Sequence, residues 1–125
     1  MGNPVVHFEI LGTDPDGLRS YYGSLFGWEF EVGGSTVPEV SEPGRYGFLS
    51  PPDGTGIPGG IGGGASHEPR TVFYVGVPDV AAALARAEEL GGTRVMGPGR
   101  AAGRDLVVAQ FTDPEGNLIG LAGPA

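Results

Sequence analysis

The first candidates for chemistry lie near the start of the chain, where a single residue separates His7 from Glu9. The apolar run over residues 5–11 predicts a β-strand, and alternate residues of a strand project from the same face. The imidazole and the carboxylate should therefore lie side by side, where they can act as general acid or base or hold a polar ligand group. His7 or Glu9 is our candidate catalytic residue if the protein is an enzyme. The plain alternative is a buried, hydrogen-bonded histidine.

Aromatic side chains on predicted strands are the second group of candidates. Alternation along residues 71–77 places Tyr74 on the same face as Val72. A concave surface with aromatic rings and a few polar groups is typical of a small-molecule site, although ordinary core packing explains some of these rings equally well. The sequence leaves open the faces of Trp28, Tyr46 and Phe48. The predicted ligand-binding set is His7, Glu9, Trp28, Tyr46, Phe48 and Tyr74.

The glycine-rich segment at residues 54–64 has the composition of a phosphate-binding loop. Such loops lead into a helix whose N-terminus faces the phosphate, whereas a polar stretch and a predicted strand follow this segment. We expect a flexible or close-packed hairpin here. No serine lies in a recognisable nucleophile motif, and two histidines give little material for a catalytic triad.

Length and charge restrict the class of protein. A chain of 125 residues suits one domain with a real core. The net charge of −8 disfavours nucleic acid and anionic membranes, and it suits neutral or cationic partners or simply solubility. No cysteine is present, and no segment resembles a signal peptide or reaches transmembrane length. The sequence therefore predicts a cytoplasmic protein without a nucleic-acid or membrane partner.

Two amphipathic helices separate the predicted strands. Asp14 is a good N-cap for the first helix, which Gly27 ends. Asp79 caps the second helix, and Gly91 and Gly92 end it. The first helix should bury the residues that recur at helical spacing, which are Leu18, Tyr21, Tyr22 and Leu25. Strands are predicted at residues 5–11, 28–32, 45–50, 71–77, 93–96, 105–112 and 117–121. Phe73 should pack under the second helix.

The two halves of the chain repeat one plan. A shift of 65 positions places Asp14 on Asp79 and Gly27 on Gly92. A shift of 62 places the turn at residues 52–54 on the turn at residues 114–116. Each half thus reads as a strand, a helix and three strands.

Three segments span nearly the whole chain and read VHFEILGTDPDGLRSYYGSLFGWEFE, YVGVPDVAAALARAEELGG and FTDPEGNLIGL. In these segments and in their order, the chain resembles the vicinal oxygen chelate superfamily, which includes glyoxalase I, extradiol dioxygenases and bleomycin resistance proteins. The resemblance implies an α+β fold in which two tandem βαβββ modules form a curved, cup-like mixed sheet with helices on the outer face. One domain would span residues 1–125, with module one at about 4–64 and module two at about 70–122. His7, Glu9 and Tyr74 would face the cup.

The same resemblance locates the superfamily's metal site. Its enzymes commonly hold a divalent ion with one His or Glu from each of four strands. Carried over to this chain, the four positions fall on His7, Val72, Gly120 and a residue near Pro58. Three of the four offer no donor atom, and Glu9, or His67 beside Glu68, would replace them only in part. We therefore expect no metal and no cofactor.

The missing ligands favour a metal-independent small-molecule binding protein of the glyoxalase/bleomycin resistance type. Such a protein would sequester an aromatic or cationic antibiotic-like ligand. The alternative is an enzyme of the lyase, isomerase or dioxygenase type that uses His7 or Glu9 as a base. Superfamily members of this size usually pair, so the expected partners are the ligand and a second copy in a homodimer.

Overall fold

The computed structural model describes residues 2–33, 36–51, 54–101 and 103–125. The chain forms two compact units: one is His7–Thr71, and the other combines the residues up to Val6 with Val72–Ala125. The elements follow the order strand, helix and three strands, twice over. The predicted α+β class with two βαβββ modules is therefore confirmed. The predicted turn residues Pro52 and Asp53 lie outside the described residues.

The two modules have similar sets of elements. Module one consists of β1 (Val5–Gly12), α1 (Pro15–Phe26), β2 (Glu31–Val32), β3 (Gly47–Leu49) and β4 (Gly59–Gly63). Module two consists of β5 (Arg70–Gly76), α2 (Val80–Glu89), β6 (Thr93–Arg100), β7 (Val107–Thr112) and β8 (Leu118–Gly123).

Both helices begin where the sequence predicts. The side chain of Asp14 accepts a hydrogen bond from the Gly17 amide, and that of Asp79 accepts one from the Ala82 amide. Gly27 ends α1 in the left-handed conformation, with φ at 73°, which glycine adopts without strain. Among the residues that the structure describes, no helix combines the length and apolar character needed to cross a bilayer.

In module one, the strands pair in the order β2-β3-β4-β1. β1 runs parallel to β4 and places Glu9 opposite Gly60, while β3 runs antiparallel to β4 and places Phe48 opposite the same glycine. Glu9, Gly60 and Phe48 therefore form a row across three strands.

In module two, the strands pair in the order β5-β8-β7-β6. Gly120 on β8 lies opposite Tyr74 on β5 and Gln110 on β7. The two rows correspond by strand order within each module: Tyr74 has the place of Glu9, Gly120 that of Gly60, and Gln110 that of Phe48. The core beneath α2 consists of Val77, Val80, Leu84, Ala109 and Leu121.

Of the two alternatives predicted for the glycine-rich segment, the structure has the close-packed hairpin and not the flexible one: β4 pairs antiparallel with β3, and all five of its residues are buried. A Cβ atom on Gly59 would lie 2.2 Å from the ring of Phe8, and one on Gly60 would lie 2.1 Å from the ring of Tyr46. A Cβ atom on Gly62 would lie 2.6 Å from the same tyrosine ring. Glycine is needed along this strand because aromatic rings pack directly on its backbone.

Helix α1 buries only part of the predicted face. Leu18 and Tyr22 are half-buried, but Tyr21 and Leu25 are 62% and 58% exposed. The side chain of Arg19 covers the sheet instead: its Cδ would lie 2.6 Å from a Cβ on Gly47, and its Nη1 donates to the Arg45 carbonyl at 2.7 Å. A long side chain with an apolar stem can cover a sheet and still hydrogen-bond at its tip.

Two strand predictions also need correction. Of the predicted strand at residues 28–32, only Glu31–Val32 pairs with a neighbour, so Trp28 precedes β2. Phe73 is 42% exposed, because α2 packs on Val75 and Val77 further along the same face of the chain. The predicted core position of Phe73 is therefore wrong.

Candidate functional site

Three polar side chains of module one form a continuous hydrogen-bonded chain. His7 Nε2 lies 2.9 Å from the hydroxyl oxygen of Tyr46, and that hydroxyl donates to Glu9 Oε2, also at 2.9 Å. Glu9 is 3% exposed and Tyr46 is 2% exposed, whereas His7 is half-buried. A buried carboxylate is therefore connected through a phenol to an imidazole nearer the surface.

The strand register explains how these side chains meet. Tyr46 lies directly before β3, and its ring extends over Gly60, which has no side chain to occupy that space. Glu9 is the neighbour of Gly60 on the other side, so the tyrosine hydroxyl reaches the carboxylate across the glycine. His7 lies two residues before Glu9 on the same face of β1, where it contacts the same hydroxyl.

Phe48 completes the cluster as an apolar wall. Its ring centroid lies 4.7 Å from that of Tyr46 and 6.5 Å from that of His7, both in tilted arrangements. The rings of His7 and Tyr46 are nearly parallel, at 17°. The structure thus brings together His7, Glu9, Tyr46 and Phe48 of the predicted ligand-binding set.

Trp28 does not join this cluster. Its ring contacts Phe8, which projects from the opposite face of β1, with the centroids 5.4 Å apart. It also packs on Tyr22, Phe26 and Phe30, at centroid distances of 5.9, 5.0 and 6.5 Å. We therefore assign Trp28 to the packing of α1 on the sheet and do not carry it into the candidate site.

Tyr74 belongs to a second polar cluster, within module two. Gln110 Nε2 donates to the Tyr74 hydroxyl at 2.8 Å, and the two side chains are 0% and 2% exposed. The Tyr74 ring fills the space above Gly120, where a Cβ would lie 2.4 Å from it. Sequence reasoning missed Gln110, although a lone polar residue inside the apolar run VVAQFT was a usable signal.

The residues present do not fit the superfamily's metal. The matching rows show that Gly60, two residues beyond the expected Pro58, takes the place in module one that Gly120 has in module two. Tyrosine rings cover both glycines, and Val72 is buried and apolar. Within the described ranges, no three residues among His, Asp and Glu are grouped so as to hold an ion. We therefore derive no chemistry through a metal.

The second histidine has a structural contact. His67 Nε2 donates to the Pro38 carbonyl at 3.1 Å, and Arg70 Nη2 donates to the neighbouring Glu39 carbonyl at 3.2 Å. The predicted pairing of His67 with Glu68 around an ion finds no support in these contacts. His67 instead helps to hold the turn that precedes Val40.

Comparison with known proteins agrees with this architecture. A family model described as a glyoxalase-like domain matches residues 7–122. Among solved structures, a methylmalonyl-CoA epimerase variant from Streptomyces coelicolor in complex with 2-nitronate-propionyl-CoA is 20% identical, with 98% of each chain covered and a TM-score of 0.66. The methylmalonyl-CoA epimerase from Mycobacterium tuberculosis is 19% identical, over 97% of this chain and 87% of its own, with a TM-score of 0.63.

A hypothetical protein from Bacillus halodurans C-125 is also similar, with 15% identity over 100% of this chain and 96% of its own and a TM-score of 0.69. No curated protein matches the chain significantly in sequence. At these identities the solved structures establish the fold, and the family model covers almost the whole chain. The resemblance to the vicinal oxygen chelate superfamily is thereby confirmed, and the chain belongs to the family of glyoxalase-like domains.

Proposed function

We propose that this protein is an enzyme that moves a proton on a small organic substrate without a metal ion, as an isomerase or a lyase does. The observation that carries the proposal is the hydrogen-bonded chain from His7 through Tyr46 to the buried carboxylate of Glu9. A base oriented by a second group is a recurring arrangement in acid–base catalysis. Suitable substrates have a C–H bond next to a carbonyl, because that hydrogen can leave as a proton.

His7 is the acid–base group in this proposal. It is the more exposed end of the chain, whereas Glu9 lies behind the Tyr46 hydroxyl. Imidazole also exchanges protons near neutral pH more readily than other side chains. Glu9 and Tyr46 stabilise the imidazolium that forms when His7 takes a proton.

The fold comparison supports an enzyme more than a passive binder. Methylmalonyl-CoA epimerases are isomerases, and one of these structures holds a CoA ester. Identities near 20% do not transfer a substrate, so they support the reaction class only. Among the described residues, nothing favours a dioxygenase over an isomerase or a lyase.

Sequestration of a ligand without turnover is the second candidate. The rings of Tyr46, Phe48 and His7 could stack on an aromatic antibiotic-like molecule, and the net charge of −8 suits a cationic one. This candidate predicts binding without any chemical change.

Solvent exchange tests the proposal directly. Candidate substrates, including methylmalonyl-CoA and uncharged α-substituted ketones and thioesters, are incubated with the protein in D₂O. Mass spectrometry then records the incorporation of one deuterium above the uncatalysed rate. We expect exchange with wild type and a fall of at least about 100-fold in His7→Gln, which matches the usual contribution of a general base.

His67→Gln is the matched control, since it makes the same substitution at a histidine that contacts only a backbone carbonyl among the described bonds. It should exchange as wild type does. A compound that binds tightly and acquires no deuterium would reject the enzyme and support sequestration. Equal exchange by His7→Gln and wild type would reject His7 as the base.

We also propose a homodimer in the cytoplasm. Tyr21, Leu25 and Phe26 on α1 are all more than half exposed and offer an apolar surface for a second copy. A chain without cysteine needs no oxidising compartment.

A further inference from the structure

His7 Nε2 and Glu9 Oε2 both lie within hydrogen-bond distance of the Tyr46 hydroxyl, which has a single proton to donate. It donates that proton to Glu9 Oε2, since an ionised carboxylate can only accept. His7 Nε2 lies at the same distance, 2.9 Å, from the same oxygen. A contact between two acceptors would be repulsive, so the remaining hydrogen must come from the imidazole.

We propose that Tyr46 and Glu9 are positioning residues that fix neutral His7 as the tautomer with its hydrogen on Nε2 and its lone pair on Nδ1. The inference deepens the proposed function, on which it rests for the identity of the base, by naming the atom that accepts the proton. Because the Tyr46 hydroxyl donates its proton to Glu9, its oxygen can only accept from His7. The hydrogen of the neutral imidazole is therefore held on Nε2. Neither residue needs to touch the substrate.

The geometry of the cluster supports a fixed ring. His7 and Tyr46 lie with their ring planes 17° apart, and Phe48 packs against both rings. Rotation of the imidazole about its Cβ–Cγ bond would lose the Nε2 contact. Packing and hydrogen bonding therefore favour the same orientation of the His7 ring. An acid–base group needs such a fixed orientation toward its substrate.

Module two offers an internal contrast. Its tyrosine, Tyr74, accepts from the amide of Gln110, which does not titrate. Each module thus places a tyrosine ring over a glycine, but from different strands: Tyr46 reaches Gly60 from the start of β3, and Tyr74 reaches Gly120 from β5. The tyrosine of module one is bonded to an imidazole and a carboxylate.

Nitrogen-15 NMR of the intact protein tests the tautomer without any substrate. In wild type above the titration range of His7, the His7 ring should show one fully protonated nitrogen, Nε2, and one unprotonated nitrogen, Nδ1. His67 is the internal reference, because its Nε2 faces the Pro38 carbonyl and must also carry hydrogen. A hydrogen on His7 Nδ1 would overturn the proposal, since the chain would then run in the opposite direction.

Two variants separate positioning from packing. Tyr46→Phe keeps the ring and removes the hydroxyl, so the His7 nitrogens should shift toward an average of both tautomers. Glu9→Gln should also give a mixture, because an amide can either donate to the Tyr46 hydroxyl or accept from it. The His67 signals should not move in either variant. Unchanged His7 signals in Tyr46→Phe would overturn the proposal.

Kinetics provide a second readout on any substrate found by deuterium exchange. Tyr46→Phe should lower kcat by about 10- to 100-fold, the usual effect of losing a hydrogen bond to a group that becomes charged, and leave KM nearly unchanged. A rise in KM with unchanged kcat would show that Tyr46 binds substrate and would overturn its positioning role. The expected NMR result with no exchange on any substrate would leave this inference standing and refute the proposed function.

Discussion

Gln110 is the most deeply enclosed polar side chain of module two, and the two ends of its amide have different surroundings. Its Nε2 donates to Tyr74, while its Oε1 is buried with no hydrogen-bond partner among the described residues. An unsatisfied buried acceptor destabilises a fold more than a missing hydrogen bond does. Only one of the two polar atoms of the Gln110 amide thus has a hydrogen bond that offsets the cost of its burial.

This asymmetry predicts an order of stability for two variants. Gln110→Leu removes the unsatisfied oxygen together with one hydrogen bond, so it should change the free energy of unfolding by about 1 kcal/mol or less. Tyr74→Phe leaves the amide buried with a second unsatisfied atom and should destabilise by about 1–3 kcal/mol. Urea denaturation of both variants measures the difference. The opposite order would show that a water or another group satisfies the Gln110 oxygen.

The carboxyl group of Asp113, in the turn between β7 and β8, should make the stability of the fold depend on pH. Hydrogen bonds from the side chain and backbone of Asn117, and from the amides of Glu115 and Gly116, hold the pKa of Asp113 below its ordinary value of 3.8. The carboxylate therefore stabilises the fold above pH 3.8, and this contribution disappears as the pH falls through the lowered pKa.

The corresponding experiment compares Asp113→Asn with wild type in urea at pH 7 and at successively lower pH. Asp113→Asn should be less stable at pH 7, and the gap should narrow in the acid range. Glu115→Gln is the control in the same turn, because its carboxyl group accepts none of these bonds. A gap that stays constant with pH would contradict the argument.

At the scale of elements, the sequence was informative wherever local signals decide the structure. Asp14 and Asp79 as caps, Gly27 as a stop and the repeated element order all follow from short-range chemistry. The length of β2 and the burial of β4 were not predictable, because they depend on which distant side chains pack on them. β4 looks like a loop in sequence, and its strand character comes from β1, β3 and the rings that cover its glycines.

The candidate site shows the same division. Strand alternation correctly placed His7 beside Glu9, since that relation is local to β1. The participation of Tyr46 depends on the registers of β1 and β3 with β4, which no local pattern reveals. Exposure of Tyr21 and Leu25 was also hidden, because Arg19 covers the sheet in their place.

The tyrosine–glycine pairs predict coupled stability effects between neighbouring strands. Gly120→Ala should destabilise module two by about 1–3 kcal/mol, because the added Cβ would displace the Tyr74 ring. In a Tyr74→Ala background the same change should be nearly neutral. A double-mutant cycle in urea gives the coupling energy, and equal effects of Gly120→Ala in both backgrounds would contradict direct packing.

At the scale of the whole molecule, the donor set predicts indifference to divalent ions. Purified protein, dialysed without chelator, should contain no stoichiometric metal by elemental analysis. Its thermal unfolding midpoint should be the same in EDTA and in excess Zn²⁺, Ni²⁺ or Mn²⁺, because a bound ion would stabilise the folded state by mass action. About one metal per chain would contradict our reading of Gly60 and Gly120.

The proposed homodimer can be tested by measuring the mass of the protein in solution. Light scattering at micromolar concentration should give twice the chain mass of 12.7 kDa. Leu25→Glu with Phe26→Glu places charges on the exposed apolar surface of α1 and should yield monomers. Val95→Glu, which alters an exposed apolar residue on β6, serves as the comparison. A wild-type protein with the mass of a single chain would rule out the dimer.

The packing of Tyr46 on Gly60 also limits which substitutions the sequence can accept at positions 46 and 60. A carboxylate at position 60, which has the place in module one that Gly120 has in module two, would need a Cβ 2.1 Å from the Tyr46 ring. Removing Tyr46 first would break the hydrogen-bonded chain to His7 before any new ligand existed. Both single steps are therefore harmful, and only a simultaneous double change avoids them. Descendants of this sequence should therefore keep Tyr46 with Gly60, and Tyr74 with Gly120, and should change the two members of a pair together.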